Sequence, residues 1–196
     1  MTNRRAFLHM AVATSALPAV MRFSVAHAQA SSCGEYLYKA VFDERFASCV
    51  DFARRVGHFG VPVHGIHGDV TALWYRDLSK QWRATPTPIA GLTAAWPLLC
   101  LEQMARDHGL RVVYRAEHNY RSDSLLEHRL TGPANVVQPD WRAGAIPWPE
   151  RVATLVANFP LQREAAVKSA ANEVTNRPAT DPQRLVSWII APAQRG

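Results

Sequence analysis

The chain has 196 residues, of which 48% are hydrophobic, and a formal net charge of +6. This hydrophobic content excludes an intrinsically disordered chain and is sufficient for one compact core. Three arginines in the first thirty residues supply half of the charge, and the remaining 19 basic against 16 acidic residues are too balanced to indicate a nucleic-acid-binding protein.

Residues 1–30 have the layout of a secretory signal, with a positive start, an apolar middle and small residues near the end. The segment 3–9, NRRAFLH, resembles the twin-arginine (Tat) signal, whose usual form is Ser/Thr-Arg-Arg-x-Phe-Leu-Lys. Asn3 and His9 depart from that form, whereas the paired arginines and the Phe-Leu step keep its core. The resemblance implies export to the periplasm by the twin-arginine route.

Small residues spaced two apart predict cleavage of this segment after Ala28 or after Ala30. Pro18 and Arg22 interrupt the apolar run well short of a membrane span, so we expect no stable membrane span after cleavage. Because the twin-arginine route carries folded proteins, often with a cofactor or a companion, the resemblance implies a larger Tat-exported redox enzyme as a partner. It does not identify a cofactor.

The first half of the mature chain alternates between strand and helix patterns. Apolar residues of strand length at 36–42 precede helical spacing over 46–56, and a second strand at 61–66 leads into a helix that Asp69 is placed to cap. The short apolar stretch 89–92 reads as a central strand. A further helix follows it and ends near His108.

The second half begins with alternating polar and apolar residues at 111–119, which predict a strand with one wet face near a sheet edge. Similar alternation at 125–131 predicts an antiparallel hairpin with it, in which Glu127 and Arg129 face Arg115 and Glu117. Beyond it, the sequence predicts helices over 150–158 and 162–174 and a final strand over 185–190.

Together these elements predict a single α/β domain over 31–196. Strands that alternate with helices favour right-handed crossovers, so the fold class we expect is a three-layer, mostly parallel sheet with an antiparallel hairpin. The continuous apolar character of 185–190 predicts that the C-terminal strand is buried in the sheet rather than attached to its edge.

Ligands of open parallel sheets bind beyond the carboxyl ends of the strands, and polar residues occur at those positions here. The candidates for catalysis by general acid/base chemistry are Asp43, Glu44, His67, Glu117 and His118. The candidates for ligand binding are Arg45, Gly68, Gly91 and Thr93, in which backbone amides at the helix starts and the Arg45 guanidinium would hold an anionic or polar group.

His67 and Asp69 are the candidate metal ligands, provided that the glycines beside His67 bend the turn so that both side chains converge. Asp69 has the alternative role of a helix cap. His64 is three residues from His67 and on a regular strand would point to the other face, so the two histidines cannot chelate one ion.

Other chemical motifs are missing from the sequence. It contains no G-x-S-x-G elbow, no glycine-rich phosphate loop and no C-x-x-C pair. Cys49 and Cys100 lie on apolar helical stripes, which favours buried thiols, and a disulfide from Cys33 to one of them is the alternative.

Three functions remain open on this basis. The leading hypothesis is an exported periplasmic binding or accessory protein, with a docking surface around Trp141 and Trp148. The rival is a periplasmic enzyme that uses the acid/base or metal-binding residues at the strand ends. A structural envelope protein is the third, and it would lack any convergence of those side chains.

Overall fold

The computed structural model describes residues 36–137, 145–159 and 166–192. The predicted signal at 1–30, Cys33 and Trp141 lie outside these residues. The strands are β1 (Lys39–Asp43), β2 (Val63–Ile66), β3 (Ile89–Thr93), β4 (Leu110–Tyr120), β5 (Leu125–Pro133), β6 (Ala166–Val174) and β7 (Arg184–Pro192). The helices are α1 (Ala47–His58), α2 (Thr71–Leu73), α3 (Ser79–Ala84), α4 (Ala95–Arg106) and α5 (Trp148–Ala157), and a π-helical turn, Trp74–Leu78, joins α2 to α3.

The seven strands form one mixed sheet in the order β2-β1-β3-β7-β4-β5-β6. Only the pairs β1–β2 and β1–β3 are parallel, while β3–β7, β7–β4, β4–β5 and β5–β6 are antiparallel. The α/β class is confirmed, but the predicted mostly parallel sheet is wrong and is corrected to a mixed, mostly antiparallel one. The reason is that β7 returns from the chain end and inserts between β3 and β4.

The C-terminal strand is buried in the middle of the sheet, as predicted. All its residues except the two terminal ones are buried, including the fully buried Trp188. In a strand whose apolar residues do not alternate with polar ones, both faces carry apolar side chains, so both faces must be covered. Because β7 occupies this position, β4 has a strand on each side and is not near an edge.

The hairpin of β4 and β5 is confirmed. Arg129 lies directly opposite Glu117, as expected, whereas Glu127 lies opposite Asn119 rather than Arg115. Burial alternates along β5, so one of its faces packs inward and the other, which carries Arg129, is exposed. The exposed face of the hairpin is therefore confirmed, but β4 is not near an edge; this face is exposed because no helix within the described ranges covers it.

The predicted helix over 162–174 is wrong, because residues 166–174 form strand β6. This segment is rich in alanine with glutamate and lysine, which favours a helix in isolation. In the folded chain it pairs with β5 along its whole length and satisfies backbone groups that would otherwise form an open edge. Tertiary pairing outweighs the local helical preference. The helix predicted at 150–158 is confirmed as α5.

Two apolar clusters lie on the two faces of the sheet, as the alternation along β7 shows. Leu185 and Ile189 belong to the cluster that α1 and α5 cover, which includes Phe52 and Val152. Val186, Trp188 and Ile190 belong to the other cluster, which α3 and α4 cover with Trp82, Leu98 and Leu101. Within the described ranges, no helix combines the length and the apolarity needed to cross a membrane.

Candidate functional site

The predicted site residues follow one row across the sheet. Asp43 pairs with Ile66 of β2, and the register that pairs Phe42 with Leu92 continues to Asp43 beside Thr93. Thr93 in turn pairs with Val186, which pairs with Glu117. Because adjacent strands are about 4.8 Å apart, Glu117 is roughly 14 Å from Asp43. The residues share an edge of the molecule, but they are too far apart to form a single site.

Five of the predicted residues do come together at the carboxyl ends of β1 and β2: Asp43, Glu44, Arg45, His67 and Gly68. We call this set the rim cluster. Its centre is a forked ion pair in which Arg45 donates from Nε to Asp43 Oδ1 at 2.8 Å and from its terminal nitrogen to Oδ2 at 2.7 Å. The Asp43 carboxylate is fully buried while the Arg45 side chain is 45% exposed. A buried charge of this kind requires its partner, so Arg45 is held in one orientation.

Gly68 makes room for that guanidinium. It has a φ of +83°, and a Cβ at this position would lie 2.4 Å from a terminal nitrogen of Arg45. Hydrogen bonding to Asp43 raises the pKa of Arg45, although burial opposes the shift. The guanidinium also lies over the ring of Phe46, at 4.9 Å from its centroid. The arginine is thus a fixed, permanently charged donor at the surface.

Glu44 and His67 form the second pair of the rim cluster. His67 Nδ1 lies 3.2 Å from Glu44 Oε2, and the two side chains are 74% and 43% exposed. Gly65 permits this contact, because a Cβ there would lie 1.9 Å from Glu44 Oε1. With Nδ1 engaged by a carboxylate, Nε2 is the ring nitrogen available for proton exchange. The pair therefore has the parts of a general base and the group that orients it.

Asp69 contacts the start of α2 from one position before its N-cap residue, Val70. Its Oδ1 accepts hydrogen bonds from the Thr71 backbone N–H at 2.8 Å and from the Thr71 hydroxyl at 2.6 Å, and both bonds lower the pKa of Asp69. Among the described residues, no group of three or more His, Cys, Asp or Glu side chains is placed to hold a metal ion. Metal binding by His67 and Asp69 stays a prediction.

Gly91 and Thr93 are buried in the sheet and serve its packing. A Cβ on Gly91 would lie 2.5 Å from the ring of Trp188, so the indole fits here because residue 91 has no side chain. Thr93 Oγ1 accepts a hydrogen bond from Trp188 Nε1 at 3.2 Å and donates one to the Ala94 carbonyl at 2.8 Å. Both residues are therefore engaged with their neighbours in the sheet, apart from the rim cluster.

Glu117 lies on the outer face of the β4–β5 hairpin, in an open groove of about 450 Å³ lined by residues of β4, β5 and β6. Its carboxylate accepts a hydrogen bond from Arg184 at 2.5 Å and lies 3.4 Å from Arg115. Three of the side chains that line the groove are cationic, namely Arg115, Arg129 and Lys168. This groove is a second polar site, separate from the rim cluster.

His118 points to the opposite face of the sheet and is fully buried beneath α5. Its Nδ1 lies 2.7 Å from His128 Nδ1, and its Nε2 lies 2.9 Å from Ser187 Oγ. The Trp148 ring covers it, with centroids 4.5 Å apart. Burial, followed by the proximity of His128 and of the Arg151 guanidinium, holds the pKa of His118 well below its usual value. Trp148 is itself buried, so the expected docking role for it is wrong.

The chain of buried polar groups continues to β6. His128 Nε2 lies 3.6 Å from Glu173 Oε2, and Glu173 is paired with Arg151 of α5. Burial would raise the pKa of Glu173, but its bonds to His128 and Arg151 outweigh that effect and lower it. We call Ser187, His118, His128, Glu173 and Arg151 the buried relay. It connects four strands to one helix.

Sequence reasoning missed most of the buried relay. The hairpin register that places Arg129 opposite Glu117 also places His118 opposite His128, so that contact was predictable. Ser187 carried no signal, because it lies within the apolar run 185–190. Glu173 carried no signal, because its segment was expected to be a helix.

Comparison with known proteins finds no family model, no curated protein and no solved structure that matches this chain.

Proposed function

We propose that this chain is an exported periplasmic binding or accessory protein that holds a small polar ligand at the rim cluster. The observation that carries the proposal is the forked Arg45–Asp43 pair laid across Gly68. Asp43 uses two donors of the guanidinium, and the remaining donors are available to a carbonyl or carboxylate oxygen of a ligand.

The charges of the cluster define what it would accept. Arg45 and Asp43 neutralise each other, and His67 beside Glu44 adds a group that can donate or accept a proton. A ligand with an acceptor oxygen near Arg45 and a second polar group near His67 satisfies both pairs. Strand ends at the carboxyl edge of parallel strands are the usual place for such sites.

The rim cluster is tested by native mass spectrometry of the protein purified after natural export. We expect a bound small molecule in the natural sequence, its loss in Arg45→Ala, and its retention in the control Arg54→Ala, which removes an exposed arginine paired with Asp51. Gly68→Ala should also lose the ligand, because the added Cβ displaces the guanidinium. A protein that is monomeric, alone and free of ligand would contradict the proposal.

The export part of the proposal rests on the resemblance of residues 3–9 to the twin-arginine signal. Replacing Arg4 and Arg5 together by lysine should leave the precursor in the cytoplasm, because the paired arginines identify the route. A general secretory signal would still be cleaved and exported with two lysines. Co-purification of a larger exported redox enzyme with the natural protein would support the companion role.

An enzyme is the second candidate, and the Glu44–His67 pair favours it. Hydrolysis of an activated ester such as 4-nitrophenyl acetate is a direct assay of the basicity of His67. We expect Glu44→Gln and His67→Asn to abolish the rate without lowering the melting temperature, whereas His58→Asn, on the exposed side of α1, should leave the rate unchanged. If Glu44→Gln and His67→Asn changed the stability but not the rate, the enzyme hypothesis would be wrong.

A further inference from the structure

The groove on the outer face of β4, β5 and β6 is a hollow in a sheet surface that no described helix covers. Burial alternates along β5, and the residues on this face, Arg129 and Thr131, are exposed. The floor consists of two neighbouring rows of paired residues. One row contains Arg115, Thr131 and Lys168, and the other contains Glu117, Arg129 and Ala170.

The first row places a cation on each side of a hydroxyl group. Arg115 is opposite Thr131 on one side, and Lys168 is opposite Thr131 on the other. The Cα atoms of the two cationic residues are therefore two strand spacings apart, roughly 10 Å. Both side chains are long enough to reach over the threonine from their own strands, so three donors can converge above it.

The second row is already balanced by its own ion pairs. Glu117 is held by Arg184 at 2.5 Å, and Arg129 donates from Nε to Glu127 at 3.0 Å. Ala170 adds only a methyl group to the floor, which helps to keep the hollow open. The charge that is left without a counterpart is therefore in the first row.

Two observations show that the donors of the first row are not fully used. Arg115 Nε is buried and has no hydrogen-bond partner among the described residues, although the terminal nitrogen of the same side chain lies 3.4 Å from Glu117. Lys168 forms no ion pair with any described residue. An anion in the groove would therefore meet the exposed ammonium of Lys168 and the terminal N–H groups of Arg115.

We propose that this groove binds a small oxyanion, a carboxylate or phosphate group seated over Thr131, with Arg115 and Lys168 as its cationic contacts and the threonine hydroxyl as a third donor. An oxyanion fits because it is acceptor-only and can receive terminal N–H groups of the Arg115 guanidinium together with the ammonium of Lys168. The site is separate from the rim cluster, so it does not depend on the function proposed for that cluster.

The test is an NMR titration of the mature protein at constant ionic strength, with inorganic phosphate in one series and succinate in the other. We expect saturable shifts of the Arg115 Nε–H signal and of the Thr131 amide. Arg115→Gln and Lys168→Gln should each weaken binding roughly tenfold or more, because each removes a charge-assisted hydrogen bond. The control Arg54→Gln should not change it.

The two series distinguish the source of the oxyanion, since tighter binding of phosphate indicates a phosphate ester and tighter binding of succinate indicates an organic acid. Shifts that rise linearly with either anion and persist in both variants would overturn the proposal, as would no shift at all. If Arg115→Gln fails to fold, Lys168→Gln still decides the outcome, because Lys168 is exposed on strand β6.

Discussion

The Nδ1 atoms of His118 and His128 lie 2.7 Å apart, and both side chains are fully buried. At this distance the two nitrogens share one proton, since two N–H groups would repel each other and so would two lone pairs. The contact joins adjacent strands of the hairpin beneath Trp148. It therefore fixes the protonation of both rings together.

The charge of Glu173 decides the direction of the shared bond. If Glu173 is ionised, a neutral His128 is best placed with its proton on Nε2, facing the carboxylate 3.6 Å away. His128 Nδ1 then accepts from His118 Nδ1, and His118 Nε2 accepts from the Ser187 hydroxyl. Every bond in the buried relay has one donor and one acceptor in this state, and both imidazoles are neutral.

The first prediction is that the protein loses stability as the pH falls below about 6.5. The folded-state pKa of His118 is lowered by burial, so the unfolded chain takes up the proton first. The free energy of unfolding then decreases by up to about 1.4 kcal/mol per pH unit, or about 2 kcal/mol by pH 5. Glu173 adds a further loss below about 4.5, because its folded-state pKa is also lowered. Urea unfolding at several pH values measures both effects.

A variant separates this effect from general acid instability. His118→Asn should be less stable at pH 8, but its stability should depend less on pH between 7 and 5. His58→Asn, an exposed substitution at the end of α1, should keep the slope of the natural sequence. An unchanged slope in His118→Asn would show that the buried imidazole stays charged or that another group titrates.

The second prediction concerns the pair formed by Arg151 and Glu173. The Glu173 side chain is 4% exposed and that of Arg151 is 18% exposed, so Arg151→Gln leaves a buried carboxylate without its cationic partner and with the His128 ring 3.6 Å away. We expect a loss of about 3 kcal/mol in the free energy of unfolding, measured by urea denaturation at pH 7.5. The matched control is Arg106→Gln, which removes the more exposed pair with Glu102 and should cost less than about 1 kcal/mol. Equal losses in the two variants would contradict the prediction.

A third prediction follows from the packing of Trp188 on Gly91. Gly91→Ala brings a Cβ to within 2.5 Å of the indole and 2.6 Å of the Val41 carbonyl oxygen, and the backbone atom cannot move away as a side chain can. We expect a destabilisation of about 1–3 kcal/mol by thermal unfolding. In contrast, Gly57→Ala in α1 meets no atom within 4 Å and should stabilise the helix by up to about 1 kcal/mol. A neutral Gly91→Ala would mean that the sheet adjusts at this point.

The fourth prediction is that the thiols differ in reactivity. Cys49 is fully buried, and burial raises its pKa well above the usual value, whereas Cys100 is partly exposed. Maleimide should therefore modify Cys100 in the folded protein and Cys49 only in denaturant, as mass spectrometry after timed quenching would show. Equal rates at the two thiols would disagree with the packing of α1. The same spectra without reductant reveal any disulfide from Cys33.

Local patterns predicted most elements but not their neighbours. The strand at 185–190 was recognised as buried because its apolar run has no alternation. Its position between β3 and β4 had no local signal, since the pairing joins residues almost a hundred positions apart, as in Gly91 with Trp188. The helical preference of 166–174 was misleading for the same reason, because β5 provided a pairing edge that propensity does not describe.

The candidate site, too, was predictable where it depends on local sequence and unpredictable where it depends on strand order. The sequence placed Glu44, Arg45 and His67 at strand ends that meet, because β1 and β2 are parallel and joined by one short helix. It could not separate Glu117 from them without the position of β7 between β3 and β4, whereas strand alternation alone places His118 on the face opposite to Glu117.

The sequence by itself therefore determined the order of most helices and strands, the buried C-terminal strand and the polar residues at the strand ends, since these follow from periodicity over a few residues. Only the tertiary structure decided which strands are neighbours. That choice depends on long-range pairing of edges, and it placed Gly68 against Arg45, Lys168 across Thr131 from Arg115, and His128 against Glu173.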